Sequence, residues 1–256
     1  PGFEPMWHPK KHGAHDQTGL CPVMGPVFFF AKRLMVAAGC LMLMAAFSGC
    51  STLRVQQMQR RADQGDDAWI IAQTIDCDTP SPACGQLHRI KGNACLRLAR
   101  RGTKPATFYT CASDELAKAM ALTPTWDNLD EQFETAERYC DALDGLQRLQ
   151  SGKAADTTRD RLLDAAQHLY QLAPGSVPAI YYMSIAWLRQ LTPRLETLNA
   201  ADRLPVCSRI KRTVNQVLSL METARRERLP DWDRFAERYQ RLAFDLGAAM
   251  HAAECR

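Results

Sequence analysis

From Asp66 to Met250, apolar residues recur at steps of three and four, with polar residues filling the positions between. That spacing gathers them into one stripe of an α-helix, so the pattern predicts a succession of amphipathic helices. Trp69, Ile70, Ile71 and Ile75 follow Asp66-Asp67, a pair suited to capping a helix start. Leu87, Ile90, Ala94 and Leu98 form the next stripe. Ser113 precedes Leu116, Met120 and Leu122, and Asp127 precedes Leu129, Phe133, Ala136, Cys140 and Leu143. Leu162, Ala166, Leu169 and Leu172 define a further helix. Ser176 with Pro178 just inside the start announces Tyr181, Ile185 and Leu188. Ile210, Val214, Val217 and Met221 follow, and Trp232, Phe235, Tyr239, Leu242, Leu246 and Met250 close the chain. No run alternates β-branched residues as a strand would, so the predicted fold class is all-α.

Three predicted helices end in Leu shortly before proline: Leu122-Thr123-Pro124, Leu172-Ala173-Pro174 and Leu229-Pro230. Proline cannot continue a helix and pushes the residue before it out of helical geometry. Two junctions share more, Pro124-Thr125-Trp126-Asp127 and Pro230-Asp231-Trp232-Asp233, where Asp would cap the next helix and Trp fill the corner. Leu87, Gly92 and Ala94 with Ala117, Leu122 and Pro124 resemble one tetratricopeptide helix pair. Met183, Ser184 and Trp187 resemble the first helix of another, and Leu162 to Pro174 a second helix. The resemblance covers roughly residues 84–250. It implies a stack of antiparallel helix pairs with a C-terminal capping helix, spanning 65–256. The stack is expected to be irregular: the three prolines lie 50 and 56 residues apart, against a family period of about 34. Extra residues fall at 101–105, 151–154 and 191–205.

Ahead of the helices the pattern changes. Lys32-Arg33 precede a 14-residue apolar run, Leu34 to Phe47, and then Ser48-Gly49-Cys50-Ser51. A positive start, a short apolar core and small residues make an export signal, and a membrane-spanning helix needs roughly 20 residues. An ordinary secretory signal cut near Ser48 and an uncleaved anchor are the competing readings. Phe47-Ser48-Gly49-Cys50 resembles the lipobox of bacterial lipoproteins, with Phe47 where that family usually carries Leu. The resemblance implies lipidation of Cys50, and Ser51 after it implies an outer-membrane lipoprotein facing the periplasm. The expected division is then a disordered or non-native leader over 1–23, a signal over 24–49, a tether or the frayed start of a helix over 50–64, and the helical domain.

Removing residues 1–49 leaves 207 of 256, enough for one sizeable core. The whole chain carries +4; Lys10, Lys11, Lys32 and Arg33 against Glu4 and Asp16 account for +2 of it, leaving about +2. Arg60-Arg61, Arg100-Arg101 and Arg225-Arg226-Glu227-Arg228 are short basic groups, expected to be solvated helix faces. Nothing here concentrates charge as a nucleic-acid surface does. Seven cysteines follow Cys50, a high number that fits an oxidising compartment. Cys77, Cys84, Cys95, Cys111, Cys207 and Cys255 are disulfide candidates, and Cys140 is expected to be buried as a small hydrophobe. Cys77 with Cys84 across a turn-rich loop, Cys95 with Cys111 in a hairpin, and Cys207 with Cys255 are attractive pairs, but spacing leaves the connectivity open.

Catalytic arrangements are not visible: no Gly-x-Ser-x-Gly, no His-Glu-x-x-His, no phosphate-cradling glycine loop and no metal-ligand spacing. Neither a cofactor nor a metal is therefore expected. His88, His168 and His251 read as helical histidines, and the pairs Glu134/Glu137 and Asp141/Asp144 as solvated faces. Tyr181-Tyr182 and Trp187 are the sharper residues, and Tyr181, Tyr182 and Arg189 are the candidates for a partner-binding face. On the concave side of a repeat stack they would bind a partner protein; otherwise they pack between repeats. The expected function is a lipid-anchored periplasmic scaffold for an envelope or secretion protein, not an enzyme and without nucleic acid. The alternative is an exported helical-repeat carrier of a small molecule, associated with a transporter.

Overall fold

A computed structural model describes residues 52–77, 81–102, 104–123, 125–197 and 199–255. The leader, the signal, Cys50 and Pro124 lie outside the described residues. Among the described residues every regular element is helical. The helices are α1 (52–63), α2 (Asp67–Ala72), α3 (Pro82–Arg100), α4 (Pro105–Leu122), α5 (Leu129–Gln147), α6 (Gly152–Leu172), α7 (Val177–Leu191), a 3-10 turn (Thr192–Thr197), α8 (Ala200–Glu227) and α9 (Trp232–Ala252). No described helix is long and apolar enough to cross a membrane.

Side-chain caps set several starts. Asp66 accepts from the Trp69 amide, Ser81 from Cys84, Asn128 from Asp130, Ser176 from Ala179 and Asn199 from Asp202. The cap of α5 is thus Asn128, one residue past the expected Asp127. α4 begins eight residues before the expected Ser113, at Pro105, whose missing N–H costs nothing in a first turn. Ser113 is buried inside that helix and donates to the Thr110 carbonyl at 3.0 Å. Much of the expected insertion at 191–205 is helical too, with Pro205 inside α8.

The segment expected as a tether or the frayed start of a helix is α1. Val55, Met58 and Ala62 line one face of it, and Met58 is fully buried against Ile70, Leu87, Ile90 and Ala94 of α2 and α3. A second cluster joins α3, α4 and α5 through Cys95, Leu96, Ala112, Leu116 and Ala142. The largest joins α5 to α9, with Cys140, Leu162, Ile185, Ile210 and Leu242 among its members.

Each helix from α2 to α7 packs on the next, and α8 packs on α7 and α9. Contacts also run α3 to α5, α5 to α7 and α7 to α9, so these four form one layer of a helical stack. Gly92 lets α3 and α4 approach: a Cβ there would stand 2.7 Å from Leu116 Cγ. Disulfides Cys77–Cys84, Cys95–Cys111 and Cys207–Cys255 close, tying the loop after α2 to α3, α3 to α4, and α8 to the end of the chain. Cys140 is a free thiol in the core, and burial pushes its pKa well up.

Candidate functional site

The layer of α3, α5, α7 and α9 is joined by charge rather than by apolar contact alone. Asp141 of α5, expected on a solvated face, is buried. Its Oδ1 accepts from Tyr182 Oη of α7 at 3.0 Å and Arg238 Nη1 of α9 at 2.7 Å. Its Oδ2 accepts from Arg100 of α3, Nε at 3.2 Å and Nη2 at 2.5 Å. Arg238 Nη1 also reaches Tyr182 Oη at 2.9 Å. One carboxylate thereby contacts the other three helices of its layer. Burial would raise its pKa, but Arg238 and Arg100 more than offset that and hold it below the usual range.

Its neighbours repeat the device. Asp144 is buried, bound by Arg148 one turn along α5, with Arg189 Nη2 of α7 at 3.9 Å. Glu137 takes both Nη groups of Arg234 from α9 at 3.0 and 3.1 Å. There desolvation prevails over Arg234, and the Glu137 pKa is raised. Asp67 of α2 is met by Arg97 and Arg101 from α3 and its C-terminal end. Of the expected solvated acids, only Glu134 is exposed. A buried carboxylate persists only when charged or polar donors replace the lost water, and arginines on neighbouring helices supply them.

Above this network lies a cleft of about 280 Å3 lined by Arg100, Tyr109, Gly145, Arg148, Tyr181 and Arg238, with Asp141 and Asp144 at its base and Glu237 and Arg241 beside them. Gly145 admits the Tyr109 ring: a Cβ would lie 2.3 Å from Tyr109 Cε1. Burial is the main cause that raises the pKa of Tyr109 and pushes Tyr181 up to about 12, so both stay phenols at neutral pH.

A second concavity, about 830 Å3, opens between α6, α7, the 3-10 turn and α8. Leu163, Met183, Trp187, Leu191 and Val206 give it an apolar wall; Asp160, Gln167, Gln190, Asp202 and Arg209 give it polar edges. The Arg209 guanidinium stands 4.7 Å from the Trp187 ring centre.

Trp187 lines the groove, whereas the expected partner-binding residues Tyr181, Tyr182 and Arg189 do not. Tyr182 is fully buried, and Tyr181 is 3% exposed, packed edge-on to Tyr182, Phe235 and Tyr239 at 5.1–5.6 Å. They belong to the core because α9 covers that side of α7, so an open surface containing both tyrosines is corrected. Arg189 is half-buried beside Asp144, lining neither concavity. Trp232 packs at the start of α9 against Tyr239, as a corner residue does, and Trp126 is half-buried.

His168 and His251 are exposed. His88 is buried, with Nδ1 2.5 Å from Glu115 Oε2. Its ligand atoms and those of Cys77 and Cys84 lie within 4.8 Å of one another. The disulfide occupies both sulfurs, so His88 alone retains a free ligand atom and the trio does not form a metal centre as it stands.

Comparison with protein families, with curated proteins and with solved structures gives no match. The described residues define an all-α helical stack that carries disulfides and a charge-bound layer.

Proposed function

We propose that this chain is a lipid-anchored scaffold in the bacterial periplasm, attached to the outer membrane through Cys50, that binds a partner protein of envelope or secretion machinery. The observation that carries this reading is the groove between α6, α7 and α8. An apolar wall bearing one tryptophan, edged by amides and charges and open along one side, suits the apolar face of a helix or an extended segment. The three disulfides agree with an oxidising compartment. The tetratricopeptide resemblance adds a stacked-helix framework of the kind that presents such grooves.

Two expected outcomes test it. Aromatic anchors at interfaces carry about 2 kcal/mol or more. Trp187→Ala, with helical content and melting behaviour of a folded protein, should lower partner recovery from crosslinked envelopes more than tenfold. Unchanged recovery from the folded variant would remove the groove from the proposal. Fatty-acid labelling in cells should mark the wild-type chain and not Cys50→Ala. A wild-type chain that takes up no label would refute the lipid anchor.

A carrier of a small molecule is the second reading, and the arginine-lined cleft is what favours it.

A further inference from the structure

We propose that the cleft over Asp141 and Asp144 binds a small dianion, a dicarboxylate or a phosphate monoester, between Arg100, Arg148 and Arg238. This site lies apart from the groove assigned to the partner protein, and the two stand or fall independently.

The charge balance points to it. Two buried carboxylates, Asp141 and Asp144, face four guanidiniums: Arg100, Arg238, Arg148 and Arg189. Glu237 and Arg241 pair with each other at 3.0 Å. Arg189 lies outside the cleft, so the lining sets Arg100, Arg148 and Arg238 against Asp141 and Asp144, a surplus of one positive charge that favours an anion.

The donor geometry agrees. Asp141 is saturated by its four contacts to Tyr182, Arg238 and Arg100. It uses only Nε and Nη2 of Arg100 and only Nη1 of Arg238. Arg148 likewise gives Nε and Nη2 to Asp144. The remaining Nη1 of Arg100, Nη2 of Arg238 and Nη1 of Arg148 make no hydrogen bond to any described residue. Neither do the hydroxyls of Tyr109 and Tyr181, which line the same cleft. Guanidinium groups match the paired oxygens of carboxylate and phosphate, and charge-assisted bonds of this kind are the strong ones. The carboxylates beneath hold the arginines in place before any ligand arrives. The volume, about 280 Å3, falls just below the usual range of ligand cavities, roughly 300–1,000 Å3, and so admits only a compact anion.

The test is calorimetric titration of the purified full chain in detergent micelles with succinate and with inorganic phosphate. Acetate at matched ionic strength is the reference. At least one dianion is expected to bind at one per chain, at least tenfold tighter than acetate. Succinate alone would identify a carboxylate ligand, and phosphate alone a phosphate ligand. Arg148→Gln should weaken binding at least tenfold, Arg148→Lys less, and Arg225→Gln on exposed α8 not at all. Should Arg148→Gln fail to fold, Tyr109→Phe, which removes only a hydroxyl, should weaken binding severalfold. No saturable heat from either dianion, or full affinity in folded Arg148→Gln or in Tyr109→Phe, would overturn the proposal.

Discussion

Asp141→Asn is expected to lower the unfolding free energy by about 3 kcal/mol. Removing one partner of a buried ion pair costs roughly 3–5 kcal/mol, because the remaining charges lose their counterion. Arg100 and Arg238 keep 53% and 36% of their side chains exposed, so water recovers part of that loss, and the lower end applies. The amide keeps the volume and one acceptor for Tyr182 and Arg238, while its NH2 cannot accept the two bonds from Arg100. In a domain of this size about 3 kcal/mol lowers the melting temperature by roughly 6–12 °C.

The same substitution has a pH signature. The folded-state pKa of Asp141 is depressed. Its stabilisation is therefore complete above the unfolded value, about 4, and disappears as pH falls through the lower folded value. The gap between wild type and Asp141→Asn should be full at pH 7 and shrink as pH falls below about 4. Glu137 acts with the opposite sign. Its folded pKa is raised, so protonation of Glu137 stabilises the fold as pH falls through that value. Urea denaturation of both proteins from pH 7 to pH 3 measures the two effects. A gap that stays constant with pH would mean that Asp141 acts through packing instead of charge.

The second large effect concerns the end of the chain. Cys207 and Cys255 lie 48 residues apart in sequence and join the second turn of α8 to the turn after α9. Loop-closure entropy for that separation corresponds to about 4 kcal/mol at 25 °C. The double change Cys207→Ser with Cys255→Ser should remove most of it. The loss should be local: amide exchange should accelerate in α8 and the C-terminal half of α9, while α3 and α4, held by Cys95–Cys111, keep their protection. α8 depends on this bridge because, among the described helices, it packs on α7 and α9 alone. A cost under about 1 kcal/mol would show that α8 is secured without it.

The helices were legible because their apolar stripes are regular, and the three cysteine pairs judged attractive are those that close. α1 reads as a tether or the frayed start of a helix because Val55, Met58 and Ala62 are sparse among glutamines and arginines. The charge-bound layer escaped notice for a different reason. Glu137, Asp141 and Asp144 step by four and three, one position beyond the core residues Ala136, Cys140 and Leu143. Arg234 and Arg238 stand in the same way beside Phe235 and Tyr239. Matching acidic and basic stripes at the edge of two apolar stripes was the available signal for a buried α5–α9 seam. Periodicity gives the face of a helix but not which helix covers it. For the same reason Tyr181 and Tyr182 could be core or groove until α9 was placed over them, whereas Trp187, two turns along on another face of α7, lines the groove.

The central claim is that the groove between α6, α7 and α8 receives a protein partner. It is tested most directly by placing photoreactive benzoylphenylalanine at position 187 of the full chain in cells, with position 222, exposed on α8 outside the groove, as control. The account predicts one discrete crosslinked protein species from position 187 and its absence from position 222. No species from position 187, or the same species from both positions, would contradict it.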